Sequence, residues 1–271
     1  MCADRFFFEG TMNKERIIVS MTTWPPRWRN AIEAMADLQH HTWLEGMEDK
    51  VHLVLVLSRE EFPQPPEVLI SSMEAMNVEI IWDEGNIKSH KKLIPTLEKY
   101  PDNPILVVDD DVARKNGWLT EFVREHAEHP EDIIYGYALS RVYVKDGKIV
   151  EDCGNCRHVF STPGQISTDL KPSNGGGGTL YPAGTFTDPR FFDRELFMKL
   201  SPTSDETWQF AFAKIAGRTF RCIGRCNYPL PLLANQEVAL WETNKNIYSN
   251  IHNRIAEAIP EYLTSLIQKE L

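Results

Sequence analysis

Apolar residues along this chain fall into short continuous runs separated by stretches with helical spacing. The run from Arg16 to Met21 (RIIVSM) is β-branched and leads into Thr22-Thr23-Trp24-Pro25-Pro26, which predicts a buried strand followed by a loop. Ile32, Met35, Ala36 and Leu38 then recur at helical intervals between Trp28 and His41, and Val51 to Leu57 (VHLVLVL) is an apolar run of the kind covered on both faces. The alternation continues with a helix around Pro66 to Met76, a strand at Val78 to Trp82, a helix at His90 to Tyr100 and a strand at Ile105 to Val108. Such repetition predicts a mostly parallel sheet wound by helices, with ligands bound beyond the carboxyl ends of the strands.

After Asp111 the pattern loosens. A helix is expected near Gly117 to His126, a strand at Ile133 to Tyr137, and a hairpin through Tyr143 to Val150, whose Asp146-Gly147 pair is a turn signal. Gly, Ser, Thr and Pro dominate from Ser161 to Gly184, including Asn174 and Gly175 to Gly178, and predict a long loop that is mobile or closely approached by a ligand. Between Asn246 and Leu271, Ile247, Ile251, Ile255, Ile259, Leu263 and Leu266 describe an amphipathic helical tail interrupted at Pro260. Its other face has few Lys or Arg, so packing against the domain is favoured over peripheral contact with a membrane.

A chain of 271 residues with 42% apolar and 25% charged residues can bury a full core. The net charge of −10 argues against a nucleic-acid partner, and the basic residues are then expected at local anion sites. No apolar run is long enough for a membrane span or a signal-peptide core, which points to a cytoplasmic protein, with the inner-membrane surface as the one peripheral site to consider. Cys153, Cys156, Cys222 and Cys226 offer four thiolates to a structural Zn2+, but two pairs of reduced thiols is the favoured reading because the pairs lie far apart and one gap is three residues.

The strongest chemical signal is the strand Ile105 to Val108 running directly into Asp109-Asp110-Asp111. Adjacent carboxylates repel unless neutralised, and a bound Mg2+ or Mn2+ neutralises them while also taking substrate phosphate oxygens as ligands. In strand-like geometry Asp109 and Asp111 point the same way, which makes them the natural metal pair, whereas a solvated strand end is the plainer alternative. Upstream, Asp83 precedes the cationic segment Lys88-Ser89-His90-Lys91-Lys92, and a helix N-terminus bearing Lys and hydroxyl groups suits phosphate or the polar edge of a nucleotide. Thr22, Thr23 and Arg27 follow the first strand, where they can meet a base, a ribose or a diphosphate. No Gly-x-Gly-x-x-Gly or Walker-type motif is present, so phosphate must be held by a metal and scattered cations.

Downstream, Thr203 with Glu206 three residues later fits a capping box. The functional alternative is a general base, a role for which Asp205 and Glu206 compete. Trp24, Trp118, Trp208 and Trp241 are candidates for stacking on sugar rings, with core packing as the commoner use of such residues.

Taken together, the strand-Thr-Thr-x-Pro-Pro-Arg opening, Lys-Ser-His-Lys-Lys-Leu-Ile-Pro, Val-Val-Asp-Asp-Asp-Val, Gly178-Thr179-Leu180-Tyr181-Pro182 and Pro-Thr-Ser-Asp-Glu-Thr-Trp resemble bacterial GT-A-fold glycosyltransferases of the family-2-like type, over residues 15–240. The resemblance implies an α/β, Rossmann-like, mostly parallel sheet flanked by helices with a mixed C-terminal half. A loose N-terminal segment (1–14) would precede a nucleotide-binding half (15–112) and an acceptor half (113–240), with a helical tail over 241–271. It implies a metal site at Asp109 and Asp111, a nucleotide-sugar donor beside Asp110, a catalytic carboxylate in the Asp205–Glu206 pair, and, as in some relatives, a histidine metal ligand near the C-terminus, for which His252 is the candidate. The family commonly has Asp where this chain has Glu206, which leaves the base assignment open.

The expected activity is inverting transfer of a sugar from a uridine-diphosphate donor to a saccharide or lipid-linked acceptor, as in bacterial surface polysaccharide assembly. The alternatives are a sugar-phosphate nucleotidyltransferase, which normally has a Gly-rich loop after its first strand, and an inactive carbohydrate- or nucleotide-binding relative. Glycoside hydrolysis would use two carboxylates without needing the phosphate-directed cations.

Overall fold

The computed structural model describes residues 16–152, 164–167, 169–223 and 247–267. Its first half follows the apolar runs: β1 (Ile17–Thr22), α1 (Trp28–Leu44), β2 (Val51–Ser58), α2 (Glu67–Ala75), β3 (Glu79–Asp83), α3 (Ile94–Lys99) and β4 (Ile105–Val108). Short 3-10 turns at Pro25–Arg27 and Lys88–Lys92 follow β1 and β3. The expected helix from His90 to Tyr100 is thus split into a 3-10 turn and α3.

The second half comprises α4 (Trp118–Glu128), β5 (Ile133–Tyr135), β6 (Ala138–Lys145), β7 (Lys148–Asp152), β8 (Ile166–Ser167), β9 (Leu170–Pro172), α5 (Asn174–Gly177), β10 (Thr179–Tyr181), α6 (Arg194–Leu200), α7 (Asp205–Ile215) and β11 (Phe220–Cys222). Two C-terminal helices follow, α8 (Tyr248–Ala258) and α9 (Pro260–Ile267).

An eight-stranded sheet has the order β3-β2-β1-β4-β10-β5-β11-β8, and a smaller sheet has the order β7-β6-β9. Strands β3, β2, β1 and β4 are parallel neighbours, while β10 enters antiparallel between β4 and β5. Side-chain parity in the central strands separates two cores, as the period of two requires. Ile18, Val54, Val56, Ile105 and Val107 face a layer containing Leu97, Phe197, Ala211, Ile251 and Tyr262. Ile17, Val19, Leu53, Leu55, Leu106 and Val108 face the layer of α1, α2 and α4. The C-terminal helices therefore belong to the main core, with Ile251, Ile255, Ile259, Tyr262 and Leu266 all buried, and Pro260 opens α9 where the tail was expected to break.

The hairpin expected at Asp146-Gly147 joins β6 to β7, and both turn residues have positive φ (51° and 72°), as a two-residue turn of this hand requires. The Gly-rich segment departs from expectation. Rather than a long open loop, it forms α5 packed against the sheet, flanked by β9 and β10. A Cβ at Gly177 would lie 2.8 Å from Tyr137, and one at Gly178 (φ 82°) would lie 2.6 Å from Trp118, whose Nε1 donates to the Gly177 carbonyl at 3.1 Å. These glycines are closely approached by core aromatic side chains, where the sequence suggested a mobile loop or a ligand.

Candidate active site

Chain order reverses between β1 and β4, and their pairing puts Met21 beside Val108. The loops leaving these strands meet there, at the switch point where open α/β sheets bind ligands. Thr23 Oγ1 donates to Asp110 Oδ2 at 2.6 Å across this junction. Arg27, carried by the 3-10 turn after β1, reaches Asp110 Oδ1 and Asp111 Oδ2, each at 2.7 Å. Burial, only partly offset by Arg27 and the Thr23 hydrogen bond, pushes the Asp110 carboxyl up to about 6.

The turn after β3 supplies Lys91 and Lys92, both buried. Lys92 Nζ lies 2.9 Å from Asp109 Oδ1 and 3.3 Å from Asp205 Oδ2. Burial opposes its charge, but Asp109, Asp205 and Glu206 outweigh burial and hold the ammonium above the ordinary lysine value. Lys91 pairs with Glu61, and burial lowers it to about 8. His90 is turned away from the cavity, its Nε2 2.9 Å from the Ser201 carbonyl oxygen and its ring stacked on Phe197, so it ties the turn to α6.

Helix α7 delivers the acidic pair. Its N-cap is Ser204, whose Oγ accepts from the Thr207 amide, and not Thr203 as the sequence spacing suggested. With Ser204 as the N-cap, Glu206 falls at the second helical position and Thr207 at the third, where a capping box would put its acidic residue. The two carboxylates differ. Asp205 is buried against Lys92 and accepts from Gln209 Nε2, and although burial disfavours its charge, Lys92 and His90 hold it below the usual carboxylate range. Burial, reinforced by the charges of Asp205 and Asp109, pushes Glu206 up to about 7 against the pull of Lys171 and Lys92. Glu206 nevertheless keeps about a quarter of its side chain exposed, at the cavity wall.

A cavity of about 420 Å³ is lined by Thr22, Thr23, Arg27, Lys88, Lys91, Lys92, Asp109, Asp110, Asp111, Asp205 and Glu206. Of the residues expected to bind donor or metal or to act as base, Asp83 and His252 are not on this wall. Asp83 is buried with its Oδ1 2.6 Å from Arg194 Nη1, so its charge is spent tying β3 to α6. His252 has both ring nitrogens engaged, Nε2 with Glu151 Oε2 at 2.8 Å and Nδ1 with the Tyr262 hydroxyl at 2.6 Å, which removes it as a metal ligand in this arrangement. Glu61 and Tyr248 are wall residues that the sequence did not flag. Trp24 lies on the wall, Trp118 and Trp208 are buried in the core, and Trp241 lies outside the described residues. A second cavity of about 460 Å³, at the opposite end of β1 and β2 among Arg16, His40, Trp43 and His52, has no comparable set of facing carboxylates and cations.

The donor chemistry at Asp109 and Asp111 fits a hard divalent cation, with oxygen ligands at a strand end beside cations suited to phosphate. As arranged, one oxygen of each faces Lys92 or Arg27. Among the described residues the three side chains whose ligand atoms already converge are Glu125, Glu128 and His129, at the end of α4, where exposed acidic groups occur commonly without an ion. Of the four cysteines considered for zinc, Cys153, Cys156 and Cys226 lie outside the described residues. Cys222 is buried in β11 with its thiol 3.4 Å from the Gly136 carbonyl oxygen, the setting of a reduced core cysteine. No described helix is long and apolar enough to cross a membrane.

No protein-family model matches the chain, and no curated protein matches it. Among solved structures it is similar to residues 1–349 of S. aureus TarS, at 13% identity and a TM-score of 0.50, covering 94% of this chain and 82% of that one. The same region of TarS in complex with UDP matches at 15% identity and a TM-score of 0.50, covering 92% and 68%. The likeness shows the fold: this chain shares the GT-A-like α/β architecture of TarS.

Proposed function

We propose that the protein is a metal-dependent, inverting glycosyltransferase that moves a sugar from a nucleotide-diphosphate donor of the UDP type to a saccharide or lipid-linked acceptor. The observation that carries this reading is the gathering of charge in one cavity. Arg27, Lys91 and Lys92 line it together with Asp109 and Asp111, and the raised carboxyl of Glu206 opens onto the same space.

The diphosphate of the donor lies against Arg27 and Lys92, where these cations balance its charge. Asp109 and Asp111 would hold Mg2+ or Mn2+, which supplies further neutralisation of the departing diphosphate. Glu206 takes the proton of an acceptor hydroxyl as that oxygen attacks the anomeric carbon. The bond from this carbon to the diphosphate breaks with inversion, and the nucleoside diphosphate leaves with the electron pair. Asp205, held anionic by Lys92, orients that lysine and takes no proton.

Calorimetric titration of UDP and of GDP, with and without Mn2+, tests the reading. Metal-dependent binding of one nucleotide that is lost in Asp111→Asn supports it. Binding of neither nucleotide under any metal condition counts against it.

A further inference from the structure

Resting on that transferase reading, we propose that Lys171 is the positioning residue of the Glu206 base and that Glu151 and His252 fix Lys171 from behind. The small sheet brings the parts together. Across β6, Lys171 pairs with Ser140 and Glu151 with Val142, and residues two apart on a strand share a face. Lys171 and Glu151 consequently emerge on the same side, and Lys171 Nζ lies 2.8 Å from Glu151 Oε1. The same ammonium is 3.9 Å from Glu206 Oε2, donates to Thr207 Oγ1 at 3.4 Å and sits 4.3 Å over the Tyr248 ring. Behind it, Glu151 Oε2 accepts from His252 Nε2, and the Tyr262 hydroxyl donates to Nδ1 of the neutral imidazole.

This row runs from α9 through α8 and the small sheet to the first turn of α7, and Lys171, Glu151, His252 and Tyr262 are all buried within it. A buried ion pair is poor value for stability, because apolar residues of equal volume commonly do as well or better. Its geometry here suits function instead. At 3.9 Å the ammonium orients the Glu206 carboxylate and favours its ionised form without closing a tight hydrogen bond that would spend its basicity. Glu151 keeps the buried ammonium charged. Burial works against Glu151, but Lys171 and the His252 hydrogen bond outweigh it and hold this carboxyl down at about 2.

The test uses the full chain with Mn2+ and a panel of UDP-hexoses, reading released UDP across pH alongside UDP affinity by calorimetry. Lys171→Met is expected to leave UDP affinity within about twofold while lowering turnover at pH 7 by about tenfold or more, the scale of a misplaced catalytic group. Its acidic limb should move to higher pH, and Lys171→Arg should restore most of the turnover. Glu151→Gln, which keeps the lysine but loosens it, should give a smaller loss in the same direction. If Lys171→Met binds UDP normally and keeps the turnover and pH profile of the unmodified protein, this assignment is overturned alone. Absence of UDP release together with binding of neither UDP nor GDP in the unmodified protein overturns the transferase reading, and the assignment with it.

Discussion

A single nitrogen of Arg27 lies 2.7 Å from an oxygen of both Asp110 and Asp111, so one guanidinium joins the loop after β1 to the acidic end of β4. Both loops are products of the sheet order, and the link exists only because β1 and β4 are neighbours. Arg27→Met removes the main counter-charge of a carboxyl that burial already raises to about 6. The expected cost is about 3 kcal/mol of stability, the scale of breaking a buried ion pair, together with at least about tenfold weaker nucleotide binding. Urea unfolding and calorimetry check the two effects separately, and an unchanged unfolding midpoint would show that the link contributes nothing.

Asp111 and Glu206 should separate in kinetics. Asp111→Asn is expected to weaken metal and nucleotide binding together, because its carboxylate is one of the two proposed metal ligands and lies in the same cavity as Arg27 and Lys92. Glu206→Gln is expected to lower turnover by roughly 10²- to 10⁴-fold, the range for a lost general base, with nucleotide affinity nearly unchanged. Full transfer by Glu206→Gln would remove Glu206 from the mechanism.

The pH profile carries its own sign. A base works deprotonated, and burial places Glu206 at about 7, so turnover should rise as pH increases through that value and level off above it. An ordinary exposed glutamate would instead give an acidic limb near 4. A rate that is flat from pH 5 to 8 sinks the assignment.

Much of the fold is legible in the sequence because its first half is built from long signals. VHLVLVL cannot be anything but covered on both faces at that length, and the helices between the strands show clear spacing. The strands β8 to β11 have two or three residues each, too few for any period, and are defined only by the partners they pair with. The cavity follows the same division. Thr23, Arg27, Lys92 and Asp109 lie just past recognisable elements, whereas Lys171 and Glu151 meet through the register of a strand lying between them. Nothing local distinguishes a buried lysine from a surface one, and His252, an attractive metal ligand by position, turns out to be held by Glu151 and Tyr262. The N-cap was missed by one residue, which moves Glu206 from the third helical position to the second.

Gly178 tests the packing of the Gly-rich segment. It has a φ of 82°, and an added Cβ would meet Trp118 at 2.6 Å, Phe122 at 3.2 Å and Leu106 at 3.4 Å. Gly178→Ala combines left-handed strain with overpacking against a buried indole, for a loss of roughly 2 to 4 kcal/mol. Thermal unfolding reads the cost, and a mobile lid at this position would instead tolerate the alanine with little change.

Acid should unlock the C-terminal helices through Glu151. Its folded value of about 2 lies below the ordinary 4.5, so its ionised form stabilises the fold above pH 4.5, and that contribution is lost as pH falls toward 2. A depression of that size corresponds to on the order of 3 kcal/mol. The loss should register in the packing of α8 and α9 on the small sheet, since the carboxylate holds His252 on α8 and, through it, Tyr262 on α9. Glu151→Gln removes the titrating group while leaving a hydrogen-bonding side chain of similar size. The variant should be less stable than the unmodified protein at pH 7, because Lys171 loses its charge partner, and should lose less further stability between pH 6 and pH 3. Urea unfolding at the two pH values measures both slopes. Equal losses in the two proteins over that interval would mean that other carboxylates set the acid sensitivity.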